Sequence, residues 1–139
     1  MKERAKKLPK LKKRLLTTRQ LRLNNFKTGQ DSELLAQTYL VTHGYSIVST
    51  NVRIRNNEVD IIAKDTTTAD LVFIEVKSRY TAQYGDPTQA VNLHKLKSMQ
   101  SVASYYCKTI AYQGDYRFDI ITIIKGRVAH FQNVTWNRR

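Results

Sequence analysis

The ten residues LVFIEVKSRY, 71–80, are typical of a buried β-strand, yet two opposite charges interrupt them. Five of the first six residues are apolar. Because side chains alternate between the two faces of a strand, Glu75 and Lys77 share one face, and the branched apolar side chains between them lie on the other. The strand is therefore expected to have one apolar face and one face that carries either chemistry or an ion pair.

A second strand, NEVDIIAK (57–64), precedes the first, and the short polar segment DTTTAD between them predicts a β-hairpin. A four-residue loop places Asp60 directly opposite Glu75, on the same face, and Glu58 opposite Lys77. Two ionised carboxylates about 4 Å apart repel each other by roughly 4 kcal/mol at the effective dielectric near a protein surface. A divalent cation relieves that repulsion, and carboxylate oxygens are the ligands that Mg²⁺ prefers.

The hairpin therefore predicts a metal site at Asp60 and Glu75, suited to hydrolysis of a phosphodiester. The ion would polarise the phosphoryl oxygen and lower the pKa of a bound water. Lys77 would orient that water or stabilise the negative charge of the transition state. Glu33, from a preceding helix, is a candidate ligand either directly or through water, and the backbone carbonyl of Val76 is a further one.

The same charges have a simpler interpretation. Acids and bases two positions apart are common on solvent-facing strands, and Glu58, Glu75 and Lys77 could form ordinary cross-strand ion pairs. An acid followed fifteen residues later by E-x-K is a short and permissive pattern. Spacing alone leaves both interpretations open.

Around the hairpin, the sequence predicts an α/β domain in the order α-β-β-β-α-β-β. A first helix is expected from Asp31, ended by Gly44, with Glu33 at one end of a stripe that faces the core. YSIVSTNVRI follows as a strand. A second helix begins at Asp86-Pro87, runs to about Cys107 and places Lys95 at the edge of its apolar stripe.

The last two strands are expected at YRFDIITII and RVAHFQNV, joined at Lys125-Gly126. On the first of them Arg117 and Asp119 share a face, which favours a fixed salt bridge over a second site. The single cysteine allows no internal disulfide. No apolar run approaches the roughly 20 residues of a transmembrane helix, and no secretory signal begins the chain, so a cytoplasmic protein without a membrane partner is expected.

Positive charge is concentrated at the N-terminus. The 139 residues, enough for one domain, include 24 Lys and Arg and 11 Asp and Glu, a formal net charge of +13. Residues 1–28 account for +10 of it and are expected to be a basic, solvated arm ahead of a domain at 29–139. Such a charge indicates a polyanion such as nucleic acid, or an anionic membrane surface. The candidate nucleic-acid contacts in the arm are Lys10, Lys12, Lys13 and Arg14.

The hairpin residues NNEVDIIAK and LVFIEVKSR resemble the PD-(D/E)xK nuclease superfamily, and particularly the hairpin of archaeal Holliday junction resolvases. Over about residues 29–131 the chain is similar to the bacterial YraN family. That similarity is carried by Gly29, Glu33, Ala36, Leu40, Gly44, Asn51, NEVDII, FIEVKSR, YGDPTQAV, Lys95 and RFDII. The resemblance implies a restriction-endonuclease-like core with a mixed sheet of about five strands flanked by helices, and so makes 29–139 a nuclease-like domain.

The resemblance also implies roles for individual residues. Asp60, Glu75 and Lys77 become the catalytic triad, and Glu33 the acid supplied by the helix. Two positions depart from the family pattern. Val59 replaces the common Pro before Asp60, and Asn57 stands where the family usually has Gly, although Asn tolerates the left-handed backbone region better than most residues.

Other polar residues have supporting roles under this resemblance. Gln89 and Lys95 match polar positions on the helix after the triad, and Glu58 is a third supporting residue. Arg79 shares the face of Glu75 and Lys77, which makes it a candidate phosphate contact, with a structural ion pair as the alternative.

The leading hypothesis is a Mg²⁺-dependent endonuclease that hydrolyses phosphodiester bonds in DNA, including branched or single-stranded forms, with Mn²⁺ able to substitute. The alternative is a nucleic-acid-binding or repair and recombination accessory protein that keeps the fold without cleaving. An RNase is a third hypothesis, because no sequence feature indicates whether the protein recognises the 2′-hydroxyl that distinguishes RNA from DNA. A homodimer would supply the two active sites that symmetric cutting of a junction requires.

Overall fold

A computed structural model describes residues 29–79 and 93–134. The elements in chain order are helix α1 (Gly29–Thr42), strands β1 (Tyr45–Ile54), β2 (Asn57–Asp65) and β3 (Leu71–Arg79), helix α2 (Leu93–Thr109), and strands β4 (Tyr116–Ile124) and β5 (Arg127–Phe131). The predicted order α-β-β-β-α-β-β is confirmed. The basic arm, the helix start at Asp86-Pro87 and Gln89 lie outside the described residues.

The five strands form one mixed sheet in the order β1-β2-β3-β4-β5. Neighbouring strands are antiparallel except β3 and β4, which run parallel. A parallel pair requires a crossover connection, and α2 lies in that connection. The fold is the predicted α/β core, a mixed five-stranded sheet flanked by helices.

This topology gives the sheet two chemically different ends. The β1–β2 turn, the C-terminal end of β3 and the β4–β5 turn meet at one end, which we call the site end. The β2–β3 turn and the beginning of β4 lie at the other, the far end. Both helices connect the two ends, so α1 begins and α2 enters the described structure at the site end.

Each face of the sheet packs against one helix. On one face the buried side chains of α1, chiefly Leu35, Ala36 and Leu40, contact Ile74 and its neighbours in the sheet. On the other, the buried members are Met99, Val102 and Ala103 of α2 together with Val59, Ile62, Leu71 and Phe73. Burying a Leu or Phe side chain contributes about 1.5–3 kcal/mol, so these two layers hold the hairpin rigidly from both sides.

The predicted register of the β2–β3 hairpin is confirmed over four residue pairs, from Lys64–Leu71 to Ile61–Ile74. Beyond the last pair the contact changes in kind, since the Asp60 side chain accepts a hydrogen bond from the backbone N–H of Val76 at 2.8 Å. Glu58 and Lys77, which the register was expected to place opposite each other, do not form an ion pair. Glu58 pairs with Arg53 instead, and Lys77 pairs with Glu75. The hairpin thus opens at the site end and places carboxylates in the opening.

The far end is closed by a buried polar network around Arg117, whose side chain is 10% exposed. Arg117 makes the predicted salt bridge with Asp119 at 3.0 Å and also contacts Asp65 at 3.1 Å and Asp70 at 3.2 Å. His130 contacts the fully buried Asp119 at 2.7 Å. One cation therefore connects β4 to the β2–β3 turn.

Within the described parts of the chain, neither helix is both long enough and apolar enough to cross a membrane.

Candidate active site

Asp60 and Glu75 meet where the β2–β3 hairpin opens. The two side chains are close enough to be joined by a hydrogen bond. Glu75 is 4% exposed, and Asp60 is anchored by the N–H of Val76. The hairpin register brings the two acids together, because the residues that follow Ile74 and precede Ile61 are Glu75 and Asp60.

Two lysines approach Glu75 from different elements. Lys77 Nζ lies 3.2 Å from Oε2, and Lys95 Nζ, from α2, lies 3.1 Å from Oε1. Lys95 also donates to the backbone carbonyl of Glu58 at 3.3 Å. Oε1 of Glu75 is nevertheless a buried oxygen without a well-aligned hydrogen bond, although the ammonium is within ion-pair distance. The structure thus brings Asp60, Glu75, Lys77 and Lys95 into one group.

Glu33 reaches the same region from the first turns of α1. Burial raises its pKa, and the nearby charges of Glu58 and Glu75 raise it further, while a hydrogen bond from the Asn51 side chain opposes them. Asn51 has a φ of 51° in β1, a left-handed conformation that Asn adopts more readily than most residues. The sequence did not reveal this contact between Asn51 and Glu33, although both lie among the positions that carry the family resemblance.

The remaining predicted site residues are less involved or lie outside the description. The Glu58 carboxylate pairs with Arg53 directly across the β1–β2 ladder at 2.8 Å, and both side chains are largely exposed. Arg79 ends β3 opposite Ile124, and only its backbone is described. Finding the Arg53 pair required the β1–β2 register, which follows from the two-residue turn at Arg55-Asn56.

The Asp60 carboxyl group has an unusual protonation equilibrium. Burial, helped by the negative charge of Glu75 and opposed by the hydrogen bond from Val76, raises its pKa from 3.8 to about 7. A metal cation that binds such a carboxyl group displaces its proton and stabilises the negative charge of the carboxylate. Ion binding at this site is therefore expected to release a proton near neutral pH.

The stability of the ion-free protein should depend on this group. Between pH 3.8 and about 7 the folded chain keeps a proton on Asp60 that the unfolded chain releases. The free energy of unfolding should therefore fall as pH rises through this interval and level off above it. With one pKa unit worth about 1.4 kcal/mol and Asp60 partly exposed, we expect Asp60→Asn to be more stable than the wild type by about 1–3 kcal/mol at pH 8.

Urea unfolding in EDTA from pH 4 to pH 8 would measure this difference. The difference between the two proteins should shrink steadily towards pH 4, because the unfolded chain begins to bind a proton at Asp60 as the pH approaches 3.8. Equal stabilities at pH 8, or a difference that grows towards low pH, would contradict the assigned environment of Asp60.

The donor chemistry fits a hard divalent cation. Among residues 29–79 and 93–134, no three Asp, Glu, His or Cys side chains form a group that could hold an ion by themselves. Mg²⁺ commonly takes one or two protein carboxylates and completes its shell with water and substrate phosphate. Asp60 and Glu75 supply two such carboxylates, and the buried Glu75 Oε1 without a well-aligned hydrogen bond is a suitable ligand atom. The carbonyl of Val76 and the carboxylate of Glu33 stay predicted ligands.

A mixed five-stranded sheet in the order α-β-β-β-α-β-β, flanked by two helices and with its central hairpin open at one end, defines an α/β protein of the architecture that the sequence predicted. The model of the family described as "Uncharacterised protein family UPF0102" matches residues 32–123. The chain belongs to this family, and the YraN-family resemblance predicted from its sequence is confirmed.

Relatives in the family extend over most of the chain. A UPF0102 protein of Thermodesulfovibrio yellowstonii is 38% identical over 105 residues, covering 76% of this chain and 92% of the relative. One from Caldicellulosiruptor bescii is 41% identical over 73% of this chain and 85% of its own. One from Clostridioides difficile is 36% identical over 80% of this chain and 98% of its own.

Among solved structures, a repair endonuclease from Pyrococcus abyssi is similar at 16% identity and a TM-score of 0.42. The alignment covers 72% of this chain and 39% of that one, so the chain spans about two fifths of its length.

Proposed function

We propose that this protein is a metal-dependent nuclease that hydrolyses phosphodiester bonds in DNA. The observation that supports the proposal best is the meeting of Asp60 and Glu75 in the opened hairpin, with Lys77 Nζ 3.2 Å from Glu75. Two carboxylates kept together at a cost in repulsion are expected where a cation is to be held. The positive charge of the whole chain, +13, suits a polyanionic substrate.

Each residue has a distinct task in this proposal. Asp60 and Glu75 would hold Mg²⁺ or Mn²⁺, which when bound polarises a phosphoryl oxygen and lowers the pKa of a coordinated water. Lys77, with a third of its side chain exposed, can turn from Glu75 towards a substrate phosphate and stabilise its developing charge. The more buried Lys95 stays against Glu75 and the carbonyl of Glu58 and positions that carboxylate.

A second function is favoured by one observation. Lys77 and Lys95 both contact Glu75, so this carboxylate already has two cationic partners without any metal ion. A site balanced in this way does not repel phosphate strongly. A nucleic-acid-binding protein, or an accessory protein in repair or recombination, could therefore keep this arrangement without cleaving.

Cleavage assays separate the two functions. The full chain is incubated with linear duplex, single-stranded and four-way-junction DNA, and with RNA of the same sequences, in Mg²⁺, Mn²⁺ or EDTA. Asp60→Asn is the matched variant, because it keeps the shape of the side chain and removes its charge. The nuclease proposal expects metal-dependent cleavage by the wild type of at least one DNA and none by Asp60→Asn.

Metal binding has a readout besides activity. At pH 8, Mg²⁺ or Mn²⁺ should raise the melting temperature of the wild type and leave that of Asp60→Asn nearly unchanged. At pH 5 the rise should be smaller, because protons compete for Asp60. Cleavage by Asp60→Asn at the wild-type rate would refute the nuclease proposal. If the protein bound nucleic acid but cleaved none of the substrates, the second function would be favoured.

A further inference from the structure

The two ends of the sheet differ in exposed charge. At the site end, Arg55 lies in the β1–β2 turn, and Lys125 and Arg127 lie in and beside the β4–β5 turn. At the far end the exposed or partly exposed charges are of both signs, with Asp70 and Asp115 as well as Lys64 and Lys108. A polyanion that approaches the sheet lengthwise is therefore attracted more strongly by the site end.

The basic residues of the two turns are exposed and available. Arg55, Lys125 and Arg127 are all solvent-exposed. In the part of the chain that the structure describes, none of the three forms an ion pair. Arg53, next to the first turn, is different because Glu58 already pairs with it. The three exposed cations can therefore meet an external anion without first breaking an internal contact.

Backbone conformation makes these cations more informative than ordinary surface charges. Arg55 has a φ of 58° and Lys125 a φ of 51°, in the left-handed region where the Cβ atom of an L-residue crowds the backbone and which Gly and Asn adopt most readily. Lys125-Gly126 is a two-residue hairpin loop with both φ values positive, the pattern for which Asn-Gly is preferred. Both turns thus carry a long cationic side chain where Asn or Gly would be less strained.

We propose that these two basic turns bind the phosphate backbone of the nucleic-acid substrate beyond the site end of the strands, away from the bond that is cut. This inference rests on the proposed function, because it concerns how that site holds its substrate. The occupant is a polynucleotide backbone, and the contacts do not depend on base sequence.

The sheet geometry predicts the length of substrate that is needed. Lys125 lies five residues beyond Ile120, the partner of Glu75. Arg55 directly follows Ile54, the partner of Asn57, so it lies about four residue positions from Asp60 along the strands. At about 3.3 Å per residue, the two turns are about 16 Å and about 13 Å from the carboxylates along the strands. Three strand spacings of about 4.8 Å separate the turns by about 14 Å. At 3.4 Å per nucleotide step of a duplex, the contacts lie about four to five nucleotides from the reacting phosphate.

The test compares two double variants of the full chain. Arg55→Asn with Lys125→Asn removes two charges at the site end and relieves the strained backbone, so its melting temperature should equal or exceed that of the wild type. Lys64→Gln with Lys108→Gln removes two exposed charges near the far end and is the matched control. Binding of a fluorescent 20-base-pair duplex and of a trinucleotide is measured in EDTA from 50 to 300 mM salt.

We expect the turn variant to bind the duplex about tenfold more weakly, with a salt slope smaller by about 2, while the control stays near the wild type. On the trinucleotide the turn variant and the wild type should not differ. Equal loss in both variants, no loss in either, a difference that persists on the trinucleotide, or no binding by the wild type would each overturn the inference.

Failure of this inference can be distinguished from failure of the proposed function. If cleavage required metal but not the two basic turns, the proposed nuclease function would stand and the inference that the turns bind the substrate would fail. If binding depended on the two basic turns but no substrate was cleaved, the inference about the turns would stand and the proposed nuclease function would fail.

Discussion

Replacing Arg117 by Met is expected to destabilise the protein by about 3–5 kcal/mol, the range for breaking a buried ion pair by removing one partner. The side chain of Arg117 is 10% exposed and that of Asp119 is not exposed at all. Without the guanidinium, the buried carboxylate of Asp119 loses its 3.0 Å salt bridge. Urea unfolding at pH 7, followed by circular dichroism, would measure the loss.

An exposed ion pair provides the control for this prediction. Arg53 contacts Glu58 at 2.8 Å, but the two side chains are 70% and 47% exposed, so Arg53→Met should cost no more than about 1 kcal/mol. Adding Asp119→Asn to Arg117→Met should restore part of the stability, because it removes the uncompensated charge. Equal losses for Arg117→Met and Arg53→Met would contradict a buried network at the far end.

Replacing Lys77 by Met is expected to lower the rate of metal-dependent cleavage by about 10²–10³-fold, as removal of one group that stabilises transition-state charge typically does. Lys95→Met should cost only about 10–100-fold, because Lys95 acts through the carboxylate it positions. Under single-turnover conditions, Lys77→Met should lower the rate of the chemical step. Lys95→Met should instead weaken the apparent affinity for Mg²⁺.

Lys97→Met is the matched control, since Lys97 is an exposed lysine on the same helix as Lys95. It should cleave at close to the wild-type rate and show the same Mg²⁺ dependence. If Lys77→Met cleaved normally, the proposed division of work between the two lysines would be wrong. The same conclusion would follow if Lys95→Met changed only the chemical step.

Local sequence signals predicted the hairpin and the meeting of its acids. The four residues between Asp65 and Asp70 determine the register, and the register brings Asp60 beside Glu75. The parallel pairing of β3 with β4 leaves no local signal, because α2 lies between the two strands. The family resemblance supplied that part of the fold.

Contacts between distant segments were beyond sequence reasoning. Lys95 was placed at the edge of an apolar stripe, but its contact with Glu75 depends on how α2 crosses the sheet. The salt bridge between Arg117 and Asp119 was predicted from their two-residue spacing. The additional contact of Arg117 with Asp65 joins residues 52 positions apart, which no local pattern indicates.

The network at the far end also has a consequence for the order of folding. The hydroxyl of Tyr45, at the start of β1, accepts hydrogen bonds from Arg117 and Gln132, which lie 72 and 87 residues further along the chain. Contacts of such separation form late, because the loop between them must close first. On the ribosome, the hairpin that carries Asp60 and Glu75 can form while the chain is still being made. The far end can close only after Gln132 has left the exit tunnel, so the fold reaches its full stability only when the described domain is almost completely synthesised.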